Sequence, residues 1–346
     1  MPGLVIVAMA IVLSIKRGDR GATEMAAGSG SDFDRSKAIA ELESLEQQLE
    51  AAIKPGQNLA AVISGAIELV ERYPAFAPAR LLLGHCLLSA ARFEPAYEQF
   101  EESLRLDPRQ PEVHLNAGTV AAQLGRLDDA RRHYSEAVGL DTGNSRYRVH
   151  LAFLSIKQGR HDEARRGLLG ALRIDSSLHQ AHAGLSDVFA KQNKIGPALD
   201  RIGRALELLD DQEQNTRVIY TRKRAALLRR LNQPDEALAV LTQMVDDIRK
   251  AALGDPGVSQ DLARCWAMMG QPEKAAAHYE WLLYQDPSND HAAARAAHWN
   301  LKAGSPEAAR RNLQDLRRIN PRSPALPELE RELRTANGVR IGSDLE

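Results

Sequence analysis

Apolar and polar positions alternate along the chain with the spacing of amphipathic helices, and the same arrangement returns about every 34 residues. An alanine marks the register, and four of its occurrences are thirty-four residues apart: Ala96, Ala130, Ala164 and Ala198. Three more follow with steps of 39, 38 and 34 residues: Ala237, Ala275 and Ala309. Self-similarity with this period is typical of stacked helical hairpins. The pattern predicts an all-α chain with about seven repeats.

Two other positions keep register with these alanines. A small residue stands twelve positions earlier, at Gly84, Gly118, Ala152, Ser186, Ala225, Ala263 and Ala297. A large apolar residue stands four positions later, at Phe100, Tyr134, Leu168, Ile202, Leu241, Tyr279 and Leu313. The small residues let two helix backbones approach closely, where larger ones would overpack the contact. The large residue shares the helix face of the alanine and is expected to fill the gap to the next repeat.

Turn residues separate the two helices of each predicted hairpin. Four glycines suit the end of the first helix: Gly125, Gly159, Gly270 and Gly304. Three prolines suit the start of the second, where a missing N–H costs little: Pro234, Pro272 and Pro306. The Asp-Pro pairs at 107–108 and 286–287 predict the end of a second helix. The longer steps between Ala198 and Ala275 predict extended second helices and a longer loop over residues 251–259.

The combined pattern resembles the tetratricopeptide repeat family over about residues 77–323, after a degenerate unit that ends at Pro74. The aromatic residue that often opens the family's repeat is replaced here by Arg80, His114, Arg148, His182, Thr221, Ser259 and Ala293. The resemblance implies a right-handed superhelical solenoid of helix-turn-helix repeats. Stacking is needed because a single hairpin cannot bury its own apolar face.

The flanking segments complete the predicted organisation. Residues 1–35 form an apolar N-terminal segment followed by a flexible Gly/Ser-rich linker. Residues 36–76 hold an opening helix and the degenerate repeat. Residues 324–346 hold a charged capping helix and a frayed tail.

The N-terminal apolar segment, residues 4–15, leaves several interpretations open. Twelve helical residues span about 18 Å, which is short of a hydrocarbon core of about 30 Å. A secretory signal would carry positive charge before the apolar run, whereas here Lys16 and Arg17 follow it. The segment could be a short membrane anchor, a stretch upstream of a true start at Met25, or a secretion signal. We expect a cytoplasmic protein, with membrane tethering through residues 4–15 as the alternative.

Composition and motifs argue against an enzyme. The net charge is −1, so the chain lacks the overall basic field that favours nucleic acid. The sequence contains no phosphate-binding glycine loop, nucleophile elbow or zinc-protease motif. His179 and His182 could share a helix face but lack a third ligand, and packing is the simpler interpretation. Cys86 and Cys265 fall in different repeats, which argues against a disulfide. We predict no catalytic residue, metal or cofactor.

The resemblance implies a binding surface, because in this family the first helix of each repeat lines a concave groove. Carried over by register, the partner-binding positions are Asn116, Thr119, Gln123, His150, Phe153, Lys157, Lys191, Lys223, Arg230, Arg264, Arg295 and His298. The set becomes richer in cations toward the C-terminus. It is either a solvated charged face or a site for an acidic extended segment or a peptide carboxylate.

The sequence therefore predicts a scaffold or adaptor that binds a protein or peptide of unknown identity in its groove. The alternative is a non-catalytic accessory or regulatory subunit of an enzyme such as a glycosyltransferase or a sulfotransferase. An RNA-binding solenoid would need a regular base-reading pair in every repeat, which the groove positions do not supply.

Overall fold

The computed structural model describes residues 35–52, 59–247 and 255–336, and within these ranges all regular structure is helical. The chain divides into two compact units, residues 1–176 and 177–346. The predicted N-terminal anchor, the start at Met25 and the tail from residue 337 lie outside the described residues. No helix in the described ranges is long and apolar enough to cross a bilayer.

Unit 1 contains four consecutive hairpins. Their helices are α1 (Arg35–Ala52), α2 (Leu59–Arg72), α3 (Ala77–Ser89), α4 (Phe93–Leu106), α5 (Pro111–Gln123), α6 (Leu127–Leu140), α7 (Ser145–Lys157) and α8 (His161–Ile174). The two helices of each hairpin pack against each other, and each hairpin packs on the next within the unit. Helix α1 lies where the sequence places the opening helix.

Unit 2 contains four more hairpins and a closing helix. Its helices are α9 (His179–Lys191), α10 (Ile195–Glu207), α11 (Gln214–Arg230), α12 (Pro234–Asp247), α13 (Pro256–Met268), α14 (Pro272–Gln285), α15 (Asp290–Lys302), α16 (Pro306–Ile319) and α17 (Leu326–Ala336). The predicted helix starts at Pro234, Pro272 and Pro306 are confirmed.

The spacing between repeats is only partly as predicted. The extra residues after Ala198 fall in a first helix, because α11 is seventeen residues long, whereas the second helix α10 has thirteen. Of the loop predicted over residues 251–259, only residues 255–259 are described, and the prediction is wrong for 256–259. Asp255 caps α13 by accepting from the Gly257 N–H at 2.7 Å, so residues 256–259 are helical.

The packing register is confirmed in every repeat. All seven register alanines are completely buried: Ala96, Ala130, Ala164, Ala198, Ala237, Ala275 and Ala309. The small residues of the first helices and the large residues of the second are buried as well. The large residue reaches the next hairpin as predicted, since the rings of Tyr134 and His150 lie 5.7 Å apart, and it also packs against its own hairpin. A Cβ placed on Gly84 would lie 2.5 Å from Phe100 Cε1, and one on Gly118 would lie 2.7 Å from Tyr134 Cδ1.

Gly84→Ala should therefore destabilise the fold even though alanine is the better helix former. Overpacking of this kind costs about 1–3 kcal/mol, because Phe100 is buried and has no free space to move into. Gly139 on α6 is the matched control, since a Cβ there meets nothing within 4 Å. Gly139→Ala should stabilise by roughly 0.5–1 kcal/mol. Urea denaturation measures the change in the free energy of unfolding for each variant. Equal changes in the two variants would contradict the packing assigned to Gly84.

Each of the seven hairpins with a register alanine turns through one residue with positive φ, five positions before that alanine. Glycine occupies four of these positions, confirming the predicted caps, and Ala91, Asn193 and Asn232 occupy the others. At the first of these turns the Ala91 and Arg92 amides donate to the carbonyls of Leu88 and Leu87, both at 2.9 Å. This is the hydrogen-bonding pattern of a helix C-terminus that favours glycine. Ala91, with φ of 57°, is the costliest of the seven occupants.

Ala91→Gly should stabilise the protein by about 0.5–1 kcal/mol, because glycine removes the Cβ strain at positive φ and only part of that gain is lost to chain entropy. Ala90 precedes it with φ of −83° and serves as control. Ala90→Gly should destabilise. Thermal unfolding of the two variants compares them directly, and a lower melting temperature for Ala91→Gly would contradict the strain.

Candidate functional site

The first helices of neighbouring hairpins contact one another directly within each unit. In unit 1, α1 packs on α3 and α5 packs on α7, and in unit 2, α11 packs on α13 and α15 packs on α17. We call the surface formed by α11, α13 and α15 the first-helix face of unit 2. It carries the C-terminal cations that the sequence singled out.

A pocket of about 340 Å³ opens on the first-helix face of unit 2. It is lined by three arginines and four largely apolar side chains: Arg229, Arg264, Arg295, Ala267, Met268, Tyr279 and Trp299. No lining residue is acidic. Guanidinium groups beside an indole ring and a thioether suit a ligand that has both a negative charge and an apolar part.

A buried carboxylate positions two of the three pocket arginines. Asp261 is 5% exposed, and its Oδ1 accepts from Arg229 Nη2 at 2.9 Å and from Arg264 Nη1 at 3.1 Å. Its Oδ2 accepts from Arg222 Nε at 2.8 Å. Arg222 also reaches Asp255, at 3.5 Å. Buried charges are stable only when paired and hydrogen-bonded, so Asp261 fixes where these arginines lie.

Gly257 makes room for this network at the start of α13. A Cβ on Gly257 would lie 2.0 Å from a terminal nitrogen of Arg222. The guanidinium group therefore passes over a helix turn that only glycine leaves open. Residues 256–259, which the sequence analysis assigned to a loop, form the first turn of α13 beside this network.

The third pocket arginine, Arg295, is not held by Asp261. Arg295 on α15 is exposed and makes no hydrogen bond or ion pair with any residue that the structure describes. Arg264 is 50% exposed and uses one nitrogen for Asp261, whereas Arg229 is 11% exposed. Two cations at the mouth of the pocket are thus available to a ligand.

The other predicted positions of unit 2 lie away from this pocket. Lys223 Nζ pairs with Asp187 Oδ2 at 2.7 Å. Arg230 donates to the Ala190 carbonyl and to Asn193 Oδ1, at 3.2 and 3.0 Å. Lys191 is exposed at the end of α9, and His298 lies 3.7 Å from Glu332 on α17. Lys223 and Arg230 donate to α9 and the turn after it, so fewer of their N–H donors are available to a ligand.

Three of the predicted positions of unit 1, Asn116, Thr119 and His150, carry uncharged polar side chains. Asn116 Nδ2 donates to His85 Nε2 at 2.9 Å, and the buried Tyr134 hydroxyl donates to Thr119 Oγ1 at 3.2 Å. The ring of His150 lies 5.7 Å from that of Tyr134. These side chains join α3, α5 and α7 to one another.

The outer positions of unit 1 are more accessible. Gln123, Phe153 and Lys157 are exposed, and Lys157 Nζ donates to the Ala122 carbonyl at 3.3 Å. Phe153 is an exposed aromatic side chain on α7. None of the three lines a charged pocket like that of unit 2.

The groove register of the sequence gives Arg264, Met268 and Arg295, with Arg229 nearby, but it does not give Ala267, Tyr279 or Trp299. Arg229 and Ala267 both stand four positions after the small residue of their repeat, a register that the groove assignment did not use. Trp299 follows the assigned His298 directly. A fourth register position would have placed Arg229 and Ala267 in the pocket itself, but nothing in the sequence signals that Tyr279 reaches the pocket from a second helix.

No group of three potential metal ligands occurs among the residues whose placement is described. His179 Nδ1 lies 3.0 Å from the Tyr220 hydroxyl and its Nε2 lies 3.1 Å from Glu213. Both ring nitrogens therefore have protein partners. Cys86 and Cys265 are buried free thiols.

Comparison with known families identifies the repeats. Two models of the tetratricopeptide repeat match the sequence, over residues 81–145 and 121–186. The comparison with curated proteins found no match.

Solved structures with the same arrangement of helices share little sequence with this chain. A structure of Pseudomonas aeruginosa pilF has 16% identity and a TM-score of 0.53, over 64% of this chain and 97% of that one. A tetratricopeptide repeat protein from Parabacteroides merdae has 16% identity and a TM-score of 0.52, over 78% and 98%. The APC/C hetero-tetramer Cut9–Hcn1 has 14% identity and a TM-score of 0.55, over 88% and 57%. At these identities the likeness concerns the fold alone.

The matched segments and the hairpin geometry agree. The family models cover the middle of the chain, and the same buried alanine, small residue and positive-φ turn recur outside it. This fold supports a general role as a protein-interaction scaffold. Residues 81–186 are therefore tetratricopeptide repeats, and the hairpins on either side of them follow the same all-α plan.

Proposed function

We propose that the chain is a scaffold that binds an extended acidic segment of a partner protein along the first-helix face of unit 2. The pocket between α11, α13 and α15 anchors that segment. The observation that carries the proposal is the row of Arg229, Arg264 and Arg295 around one pocket, with Arg295 unpaired within the described residues. Charge-assisted hydrogen bonds from guanidinium groups are strong and directional.

The apolar lining supports a protein ligand over a free anion. Met268 is exposed and Trp299 is half-buried at the pocket wall. Arginine and tryptophan are enriched among residues that dominate binding energy at interfaces. An acidic residue followed by a large apolar one would satisfy both kinds of lining. The predicted positions of unit 1 remain a separate candidate binding surface.

Recovery of a partner from a native lysate tests the proposal. The wild-type chain should recover a stoichiometric protein, and Arg295→Glu should reduce that recovery at least tenfold, because it places a negative charge at the pocket mouth. Arg310→Glu on α16 is the matched control, since Arg310 is an exposed arginine of a second helix. Equal loss in both variants, or in neither, would contradict this location of the site.

A further inference from the structure

The pocket of unit 2 carries more positive charge than one carboxylate would neutralise. Its lining holds the guanidinium groups of Arg229, Arg264 and Arg295 and no acid. Their ion-pair network adds Arg222 and two carboxylates, Asp255 and Asp261. Four arginines against two aspartates leave an excess of two positive charges. The other acids near this region, Glu328 and Glu332 on α17, interact with His298 and do not line the pocket.

A phosphorylated side chain matches that excess better than aspartate or glutamate does. A phosphoryl group on serine, threonine or tyrosine carries a charge of about −1.5 to −2 at pH 7, with three strong acceptor oxygens. A carboxylate carries one charge. Clusters of arginine are a recurring solution for phosphorylated segments, because the planar guanidinium group donates two hydrogen bonds to one phosphate.

The donors needed for a phosphoryl group are in place. Arg264 gives only Nη1 to Asp261, which leaves its Nε and Nη2 for a ligand. Arg295 gives no donor to any residue in the described part of the chain. Arg229 is held by Asp261 and is mostly buried, so it contributes positive charge to the pocket lining. The volume of about 340 Å³ has room for a phosphoryl group and a neighbouring apolar side chain against Met268 and Trp299.

Resting on the proposed function, the geometry points to a phosphorylated partner segment as the occupant of this pocket. Binding would then depend on phosphorylation of the partner, and the unmodified segment would bind weakly. The same site would lose affinity as the phosphate takes up its second proton near pH 6 and as salt screens the charges.

Titration calorimetry on the full chain tests the inference with three matched peptides. The probes are acetyl-Leu-X-Leu-amide with X as phosphoserine, glutamate or serine, and inorganic phosphate alone. The phosphoserine peptide should bind at least tenfold more tightly than the glutamate peptide, and the serine peptide should give no measurable heat. Inorganic phosphate should bind at least tenfold more weakly than the phosphoserine peptide.

Variants place that preference in the pocket. Arg295→Ala should remove the preference for phosphoserine, Arg295→Lys should restore part of it, and Arg310→Ala should leave it unchanged. Thermal unfolding checks that each variant is folded. Equal affinity for the phosphoserine and glutamate peptides would overturn the inference and leave the proposed acidic-segment site standing. The inference would also be overturned if Arg295→Ala left the affinity for the phosphoserine peptide unchanged. The same holds if inorganic phosphate bound as tightly as the phosphoserine peptide.

Discussion

Asp261→Ala should lower the free energy of unfolding by about 3–5 kcal/mol, the usual cost of removing one partner from a buried ion pair. Asp261 is 5% exposed and accepts from three arginines. Arg222 and Arg264 could turn toward water after its loss. Arg229 could not, because its side chain is only 11% exposed, and its charge would be left buried without a partner.

Asp187→Ala provides the matched control for this variant. Asp187 also pairs with a cation, Lys223, but both side chains are more than one third exposed. Exposed pairs contribute about 0–1 kcal/mol, so the control should lose little. Guanidinium chloride denaturation of the two variants measures the difference. A loss below 1 kcal/mol for Asp261→Ala would show that the network does not hold Arg229 in place.

Acidification should destabilise the protein strongly through buried histidines of unit 1. Burial lowers the pKa of His85 to about 4, and burial together with the Arg146 charge lowers the pKa of His150 to about 4. In the unfolded chain a histidine has a pKa of about 6.5. Between these values the unfolded state binds protons that the folded state does not. Stability is therefore full above pH 6.5 and falls as the pH drops toward 4.

The expected loss is on the order of 3 kcal/mol for each of the two histidines across that interval. Chemical denaturation at pH 7, 6, 5 and 4 measures it. His85→Gln should make the pH dependence shallower, because one of the groups that must stay neutral is gone, whereas His150 remains. His291→Gln is the control, since His291 is exposed on α15. Unchanged slopes in both variants would exclude His85 as the source.

The repeat architecture was predictable because it depends on short-range steric requirements. The positions of Ala96 and Gly84 must be small for two helices to touch, and such a requirement leaves a periodic trace in the sequence. Turn position 91 shows the limit of that inference. Alanine there carries no turn signal, yet the chain adopts positive φ, because the helices on either side fix the turn.

The site was predictable only in part, because charge pairing depends on side-chain contacts between repeats. Lys223, Arg230 and Arg295 are all cations at groove positions of the register. In the structure, however, Lys223 and Arg230 donate to α9 and its following turn. No spacing rule distinguishes a cation with a partner forty residues away from one without. The register put Asp261 on the groove face, but its burial could not be foreseen, since aspartate is usually exposed.

An exposed aromatic surface elsewhere in unit 2 competes with the pocket as a binding surface. Tyr284 is 81% exposed on the second helix α14, with Trp281 one turn before it. Exposed apolar patches of this kind often mark interaction sites. We expect the partner to contact Met268 and Arg295 on the first-helix face instead.

Site-specific photocrosslinking decides between the two surfaces. A benzophenone amino acid replaces Met268 in one variant and Tyr284 in another, and both are irradiated with the partner recovered by the wild-type chain. We predict a covalent adduct from position 268 and none from position 284. An adduct from position 284 alone would contradict the first-helix face of unit 2 as the binding site.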